Sequence, residues 1–345
     1  MSTTTLKDAL LPRLRRTPTR AGAALLLPAL VGGALFICSA NTPAQKKKAA
    51  GSGKTTATTN GAKKTAAATA SSKKPADKSL TVKTEPKATV WIDEVRRGVT
   101  DDAGSLAVKN VSAGRHTLRV RARGFGERTL ALLPAQRGVV EVRLTPTTDE
   151  AELLFQQAEE LSAKGAEGRA QARELYRRAL KLRPRYPAAR VGLARVLASD
   201  DDHNAALEEL SAARRLRPSY PEASAVEGRI YRDLAEYDEA VAAFERAVRE
   251  GRGFQPEAHA GLGLVFTDRG DHEQAVEHFR KAIAQLSDTE PALYQLLGAA
   301  YEKLEKWKEA VAAYEKYLEL APEGKLAPAI RSIIDQLRQQ AAEQQ

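Results

Sequence analysis

Cysteine is nearly absent: the 345 residues hold one, Cys38. A single thiol excludes a disulfide framework and any cysteine-built zinc cage. Histidine is scarce too, five in all, which leaves little for a histidine-based metal site. Aromatic residues make up 5 % of a chain that is 43 % apolar. Alanine and leucine fill the difference, and both favour helix over a β-barrel. A nucleotide loop is missing as well. Gly51-Ser52-Gly53-Lys54-Thr55 looks like the end of one, but Lys48 stands where the leading glycine is needed. Acid is the scarcer charge, 44 residues against 54 Lys and Arg, for a net charge of +10. A chain of this length divides into two or more units.

The N-terminal region reads as export. Lys7, Arg13, Arg15, Arg16 and Arg20 stand against Asp8 in residues 1–20. Residues 21–37 are then uncharged and apolar, and Cys38-Ser39-Ala40 supplies small residues at a cleavage point, with Thr42-Pro43-Ala44 as a second. This is the order of a secretory signal peptide, which the pattern assigns to 1–40. A retained membrane anchor is the alternative, although 17 residues fall short of the roughly 20 a spanning helix needs. Cys38 also resembles the lipidated cysteine of bacterial lipoproteins, with Ile37 where a small residue is expected. Either way the expected location is the periplasm or cell envelope. Residues 41–79 are Lys, Ala, Thr, Ser and Gly, with nine Lys against one Asp. Such a stretch buries too little surface to offset its ordering entropy and is expected to be a disordered tether. Its charge suits an anionic polymer or membrane surface, or simply a solvated linker.

Between 80 and 146 the apolar pattern has period two. Val90 and Ile92 alternate with Thr89, Trp91 and Asp93; Leu118, Val120 and Ala122 with Thr117, Arg119 and Arg121; Val140, Val142 and Leu144 with Glu141 and Arg143. Each run is a half-buried strand, with Gly98, Gly104, Gly114, Gly124 and Gly138 between them. The expectation is a small antiparallel all-β sandwich. The segment resembles the PEGA domain through Leu80-Thr81-Val82, Pro86-Lys87-Ala88, Val90, Ile92, Asp93, Gly98, Thr100, Ala113-Gly114-Arg115-His116, Val120, Gly124-Phe125, Val142 and Leu144. Two positions depart: Lys87 stands for the Glu-Gly pair, and Glu94 for the glycine after the aspartate. The resemblance implies an extracytoplasmic β-sandwich with a binding or spacing role and no catalytic residues. Trp91 alternates with inward residues and should face outward. There it would stack on a sugar or a protein, or pack beneath a neighbouring domain.

From 147 the chain repeats itself. Ala172, Ala206, Ala240, Ala275 and Ala310 recur at intervals of 34, 34, 35 and 35. Tyr176, Leu210, Phe244, Phe279 and Tyr314 follow each by four residues, and Ala194, Gly228, Gly263 and Gly298 precede the last four by twelve. Small residues admit a close helix crossing and large ones fill the space beside it. This resembles the tetratricopeptide repeat. Five repeats are expected over 147–324, with Glu159 at the small position of the first. Residues 325–345 form a capping helix carrying Ile330, Ile333, Ile334 and Leu337 on one face.

The tetratricopeptide resemblance implies an all-α solenoid whose first helices line a concave groove for a protein or peptide. By repeat position that groove shows Arg195, Arg229, Arg232, Thr267, Glu302 and Lys303. The three arginines suit an acidic segment or a C-terminal carboxylate, or are ordinary solvated charges. The Lys/Asn clamp of chaperone-binding relatives is absent. No cofactor, metal site or catalytic constellation emerges. His272 and His278, six apart, do not share a helix face, and Asp200-Asp201-Asp202 reads as a helix start.

The charge is unevenly placed. Residues 1–40 carry +4, 41–79 carry +8 and 80–146 carry +5, whereas 147–345 carries −7. A basic total made largely in a signal and a tether does not support nucleic-acid binding. The expected function is a non-catalytic interaction scaffold of the bacterial envelope. The alternative is an envelope polysaccharide binder acting through the β module and Trp91.

Overall fold

The computed structural model describes residues 78–111, 114–286 and 289–343. The signal or anchor, Cys38 and the tether up to residue 77 lie outside the described residues. Among the described residues no helix is long and apolar enough to cross a membrane.

Seven strands come first: β1 (Lys78–Lys83), β2 (Thr89–Ile92), β3 (Val95–Val99), β4 (Ser105–Val111), β5 (His116–Arg121), β6 (Arg128–Leu132) and β7 (Gly138–Glu141). They form two sheets, ordered β4-β1-β7 and β3-β2-β5-β6. Leu80, Val82, Val108 and Val140 of the first sheet share a core with Val90, Ile92, Leu118 and Val120 of the second. That is the sandwich the alternating pattern predicts, because every second side chain of each strand points into it. One pairing departs from the antiparallel expectation. β7 runs parallel to β1, with Leu80 opposite Gly138 and Lys83 opposite Glu141. Alternation sets which face is buried and leaves strand direction to the connection, here a crossing from β6 in the other sheet.

Three non-glycine residues of the β segment have left-handed φ. Lys87 has φ 57°, and Asp93 and Glu94, the two turn residues between β2 and β3, have φ 49° and 64°. A two-residue hairpin turn with both φ positive matches the twist of its strands. Asp93 holds it by accepting from the Thr117 N–H at 2.9 Å and lying 2.6 Å from His116 Nδ1.

Eleven helices follow: α1 (Glu150–Ser162), α2 (Ala166–Leu182), α3 (Pro187–Ser199), α4 (His203–Leu216), α5 (Pro221–Asp233), α6 (Tyr237–Glu250), α7 (Pro256–Arg269), α8 (His272–Leu286), α9 (Pro291–Lys303), α10 (Trp307–Leu320) and α11 (Ala327–Glu343). Pro187, Pro221, Pro256 and Pro291 each open the first helix of a pair, where a missing N–H costs nothing. Asp149 caps α1 by accepting from the Glu152 N–H, and Asp202 caps α4 by accepting from the Ala205 N–H. Inside the pairs, glycines meet rings. A Cβ on Gly228 would lie 2.8 Å from Phe244, on Gly263 2.5 Å from Phe279, and on Gly298 2.6 Å from Tyr314. Gly192 and Gly261 do the same between pairs, against Tyr176 and Phe244. This interlock explains the small-large spacing in the sequence. Ile330, Ile334 and Leu337 of α11 close the stack against Tyr314 and Tyr317.

Candidate partner-binding groove and the face that borders it

The first helices of successive pairs touch one another, α1 to α3, α3 to α5 and α5 to α7. The side on which neighbours approach most closely is the inner side of a curved stack, so these helices line the groove. Their exposed positions are set by the 3.6-residue turn, because the opposite face carries the small residues that meet the second helix.

Arg195 lies on α3 and is held from both sides. Its guanidinium is 2.7 Å from Glu159 of α1 and 3.5 Å from Glu222 of α5. Burial works against its charge, but Glu159 and then Glu222 outweigh burial and raise its pKa. Glu159 also accepts from the Tyr176 hydroxyl. At the position where later pairs have Ala194, Gly228, Gly263 and Gly298, the first pair thus has a carboxylate bound to the ring's hydroxyl. Burial raises the carboxyl pKa of Glu159, yet Arg195 and Tyr176 bring the net value below normal.

Arg232, one residue from the end of α5, donates to Asp268 at 2.6 Å. Thr267 donates to the Gly263 carbonyl of its own helix at 2.8 Å, and Glu302 accepts from the Tyr314 hydroxyl. Lys303 is exposed, with no ion pair to a described residue. Arg229 is half-buried and likewise has no ion pair to a described residue. The structure therefore does not bring three open guanidiniums together. Arg195 and Arg232 are neutralised by Glu159, Glu222 and Asp268, which the sequence reading passed over, and Arg229 stands apart. Arg195, Arg229, Leu264 and Ala299 succeed one another at one repeat position, so the groove changes from paired charge to a lone cation to apolar side chains.

A cavity of about 460 Å³ lies between α4 and α5, lined by Leu207, Ser211, Arg214, Arg215, Glu227 and Tyr231. Its Arg214 already donates to Ser224 and lies 3.4 Å from Glu250.

His278 is half-buried on α8. Its Nδ1 lies 3.2 Å from Nδ1 of His259, across α7 and α8, and its ring stacks on Phe266. At that distance one imidazole donates and the other accepts, so the accepting ring is neutral and the two cannot both be protonated. Burial, then His278 and Lys281, push His259 down to about 4. Burial and Lys281 lower His278, while Glu277 and Glu245 act the other way. Among the described residues no group of three or more metal-ligating side chains forms.

The border of the groove was invisible in the sequence. The outer face of the sheet β3-β2-β5-β6 lies against α1 and against the loops that join successive pairs. Trp91 faces outward from its sheet, as alternation requires, and lies beneath two arginines of β5, one of which reaches the repeats. The Arg119 guanidinium lies 4.1 Å from the centre of its ring, and that of Arg121 5.5 Å. Arg119, only 2 % exposed, is 3.0 Å from both Glu94 and Glu127. Burial disfavours its charge, and Glu127 and Glu94 more than restore it. Arg121 pairs with Glu127, reaches Glu152 of α1 at 3.4 Å and lies over Phe155. Gln156 of α1 accepts from the Gly124 N–H at 2.8 Å and donates to the Phe125 carbonyl at 2.9 Å. Further along, Arg217 pairs with Glu94 at 2.7 Å, Arg97 covers the Phe254 ring, and Arg252 donates to the Arg115 carbonyl at 2.8 Å.

Comparison with known proteins agrees with the repeat geometry. A tetratricopeptide-repeat model matches residues 161–221 and 226–291, and a second one matches 291–323. Among solved structures, a thermophilic TPR protein of Thermus thermophilus is 26 % identical. The match covers 54 % of this chain and 98 % of that one, with a TM-score of 0.46. The pilF protein of Pseudomonas aeruginosa is 19 % identical over 56 % of this chain and 88 % of its own, with a TM-score of 0.48. MamA residues 41-end from Desulfovibrio magneticus RS-1 is 21 % identical over 51 % and 98 %, with a TM-score of 0.42. No curated protein matches the chain. The C-terminal region thus consists of tetratricopeptide repeats folded as an all-α solenoid, preceded by a β-rich segment. Such repeats are generally non-enzymatic scaffolds for protein interaction.

Proposed function

We propose that this chain is a non-catalytic scaffold of the bacterial cell envelope that holds a partner protein or peptide along its first helices. The observation that carries the reading is Arg229. It is a half-buried guanidinium on the inner helix α5, with no ion pair to a described residue, and Leu264 of α7 holds the same position one repeat on. A cation one repeat from an apolar side chain suits a segment that presents a carboxylate and an apolar side chain together. Arg195, Arg232, Thr267, Glu302 and Lys303 shape the walls of the same groove rather than supply its anchor. The envelope location rests on the export-like pattern of residues 1–40, and the PEGA identity of the β segment on its sequence resemblance. The glycan-binding alternative loses its leading residue, since Trp91 lies beneath Arg119 and Arg121.

The test is affinity capture from an envelope extract with the full chain, comparing wild type, Arg229→Glu and Arg195→Ala. The expected outcome is a partner retained by wild type and lost with Arg229→Glu. Equal capture by wild type and Arg229→Glu would sink the assignment of Arg229 as anchor.

A further inference from the structure

The two faces of the sandwich meet different surroundings. One lies against the repeats. The other, the outer side of β4-β1-β7, is bare among the described residues: Ser79, Lys83, Ala107, Lys109, Val139 and Glu141 are all exposed on it. Val139 at 60 % and Leu133 at 54 % head the exposed large hydrophobic side chains of the described residues. They sit close together in sequence, at the start of β7 and in the connection leading to it. Lys83 and Lys109 have no ion pair to a described residue, and Glu141 is the one acid among the strand residues of this face. Arg137 beside it is exposed and, among the described residues, donates to the Pro134 and Gln136 carbonyls and pairs with no carboxylate. β1, the centre strand, is also where the chain arrives from residues 41–77, which hold eight Lys against one Asp, downstream of the apolar run 21–37.

We infer that this bare face is a contact surface for an anionic phospholipid bilayer. Leu133 and Val139 enter the headgroup region, and Lys83, Lys109 and Arg137 meet the lipid phosphates. Charge alone would serve an anionic polymer equally well. Exposed Val139, in the strand beside Lys83 and six residues after exposed Leu133, is what selects lipid, because a hydrated polymer offers such side chains nothing to enter. The surface is separate from the groove, so it stands or falls independently of the groove reading.

The experiment uses the full chain carrying Cys38→Ser and Val139→Cys, labelled at the new thiol with an environment-sensitive fluorophore. Vesicles of phosphatidylcholine with or without phosphatidylglycerol are added, and a chain labelled through Gln274→Cys on α8 serves as control. The expected result is a blue-shifted, brighter signal at position 139 with the anionic vesicles only, and none at 274. In cosedimentation, Leu133→Asp/Val139→Asp should lower vesicle partitioning roughly tenfold. Lys83→Glu/Lys109→Glu should lower it by roughly fivefold for each lysine removed. An unchanged spectrum at 139 in a chain that still sediments with vesicles would overturn the inference and assign attachment to residues 1–77. The same spectral change with soluble polyphosphate would also overturn it, in favour of a polymer. Because the labelled variant changes only an exposed valine, the spectral readout stands even if the aspartate variants fail to fold.

Discussion

At residue scale, the repeats hold two facing imidazoles, those of His259 and His278. Their Nδ1 atoms are 3.2 Å apart, and Phe266 covers one ring. His259 titrates near 4 in the folded chain, against about 6.5 when unfolded. Between those values the unfolded chain binds a proton that the folded chain refuses. Stability is therefore complete above about pH 6.5 and falls as the pH drops towards 4. Lys281 adds to the effect, and Glu277 opposes it. The depressed carboxyls of Glu159 and Glu127 act in the same direction but only at lower pH. The expected outcome is a lower urea midpoint at pH 5 than at pH 7.5 in wild type, and a smaller difference in His259→Leu/His278→Gln. Identical pH slopes in the two proteins would show that the pair is not responsible. The sequence did not pair these residues. They are 19 apart, and only the hairpin of α7 on α8 brings them together.

At element scale, the turn inside each helix pair sets the crossing. Asp201, Ala235, Gly270 and Glu305 occupy equivalent places, all with left-handed φ, at 60°, 59°, 84° and 54°. Glycine adopts this conformation freely, while an L side chain is strained there by roughly 1 kcal/mol. Gly270 is thus the unstrained version, and its N–H closes α7 by donating to the Thr267 carbonyl at 3.1 Å. Ala235 is exposed and has no capping side chain to compensate. Ala235→Gly is expected to raise stability by up to about 1 kcal/mol, read as a higher urea midpoint at unchanged slope. A lower midpoint would mean that unfolded-chain entropy outweighs the relieved strain. The helices themselves were legible: the 34-residue period, the small-large spacing and the polar outer side of α11 all reappear as contacts. The parallel pairing of β1 with β7 was not, because alternation is the same for either direction.

At the scale of the whole molecule, the β module and the repeats are joined through Trp91, Arg119, Arg121, Glu94, Glu127, Glu152 and Arg217. Arg119 is the centre of this network, almost fully buried between two carboxylates. Removing it leaves Glu94 and Glu127 with only Arg217 and Arg121 to balance them, at a cost of about 2 kcal/mol or more. Arg119→Ala is expected to separate one calorimetric transition into two, the sandwich and the solenoid melting apart. A single transition at the wild-type temperature would show that the interface contributes little.

The sequence by itself determined what repetition and periodicity encode. Alternation fixed the faces of the strands, and the recurring alanines and glycines fixed the packing of helix on helix, because both depend on residues only a few positions apart or one repeat away. It also placed Arg195, Arg229 and Arg232 on the inner helices. The tertiary structure alone decided which of those charges remain open. Glu159 and Asp268 reach Arg195 and Arg232 from neighbouring pairs, 36 residues away in each case, and leave Arg229 with no ion pair to a described residue. It decided, too, that the outward face of Trp91 and Arg119 meets the repeats. An outward side chain looks the same in sequence whether water or another domain covers it, and only the chain's path brings Arg217 to Glu94 across 123 residues.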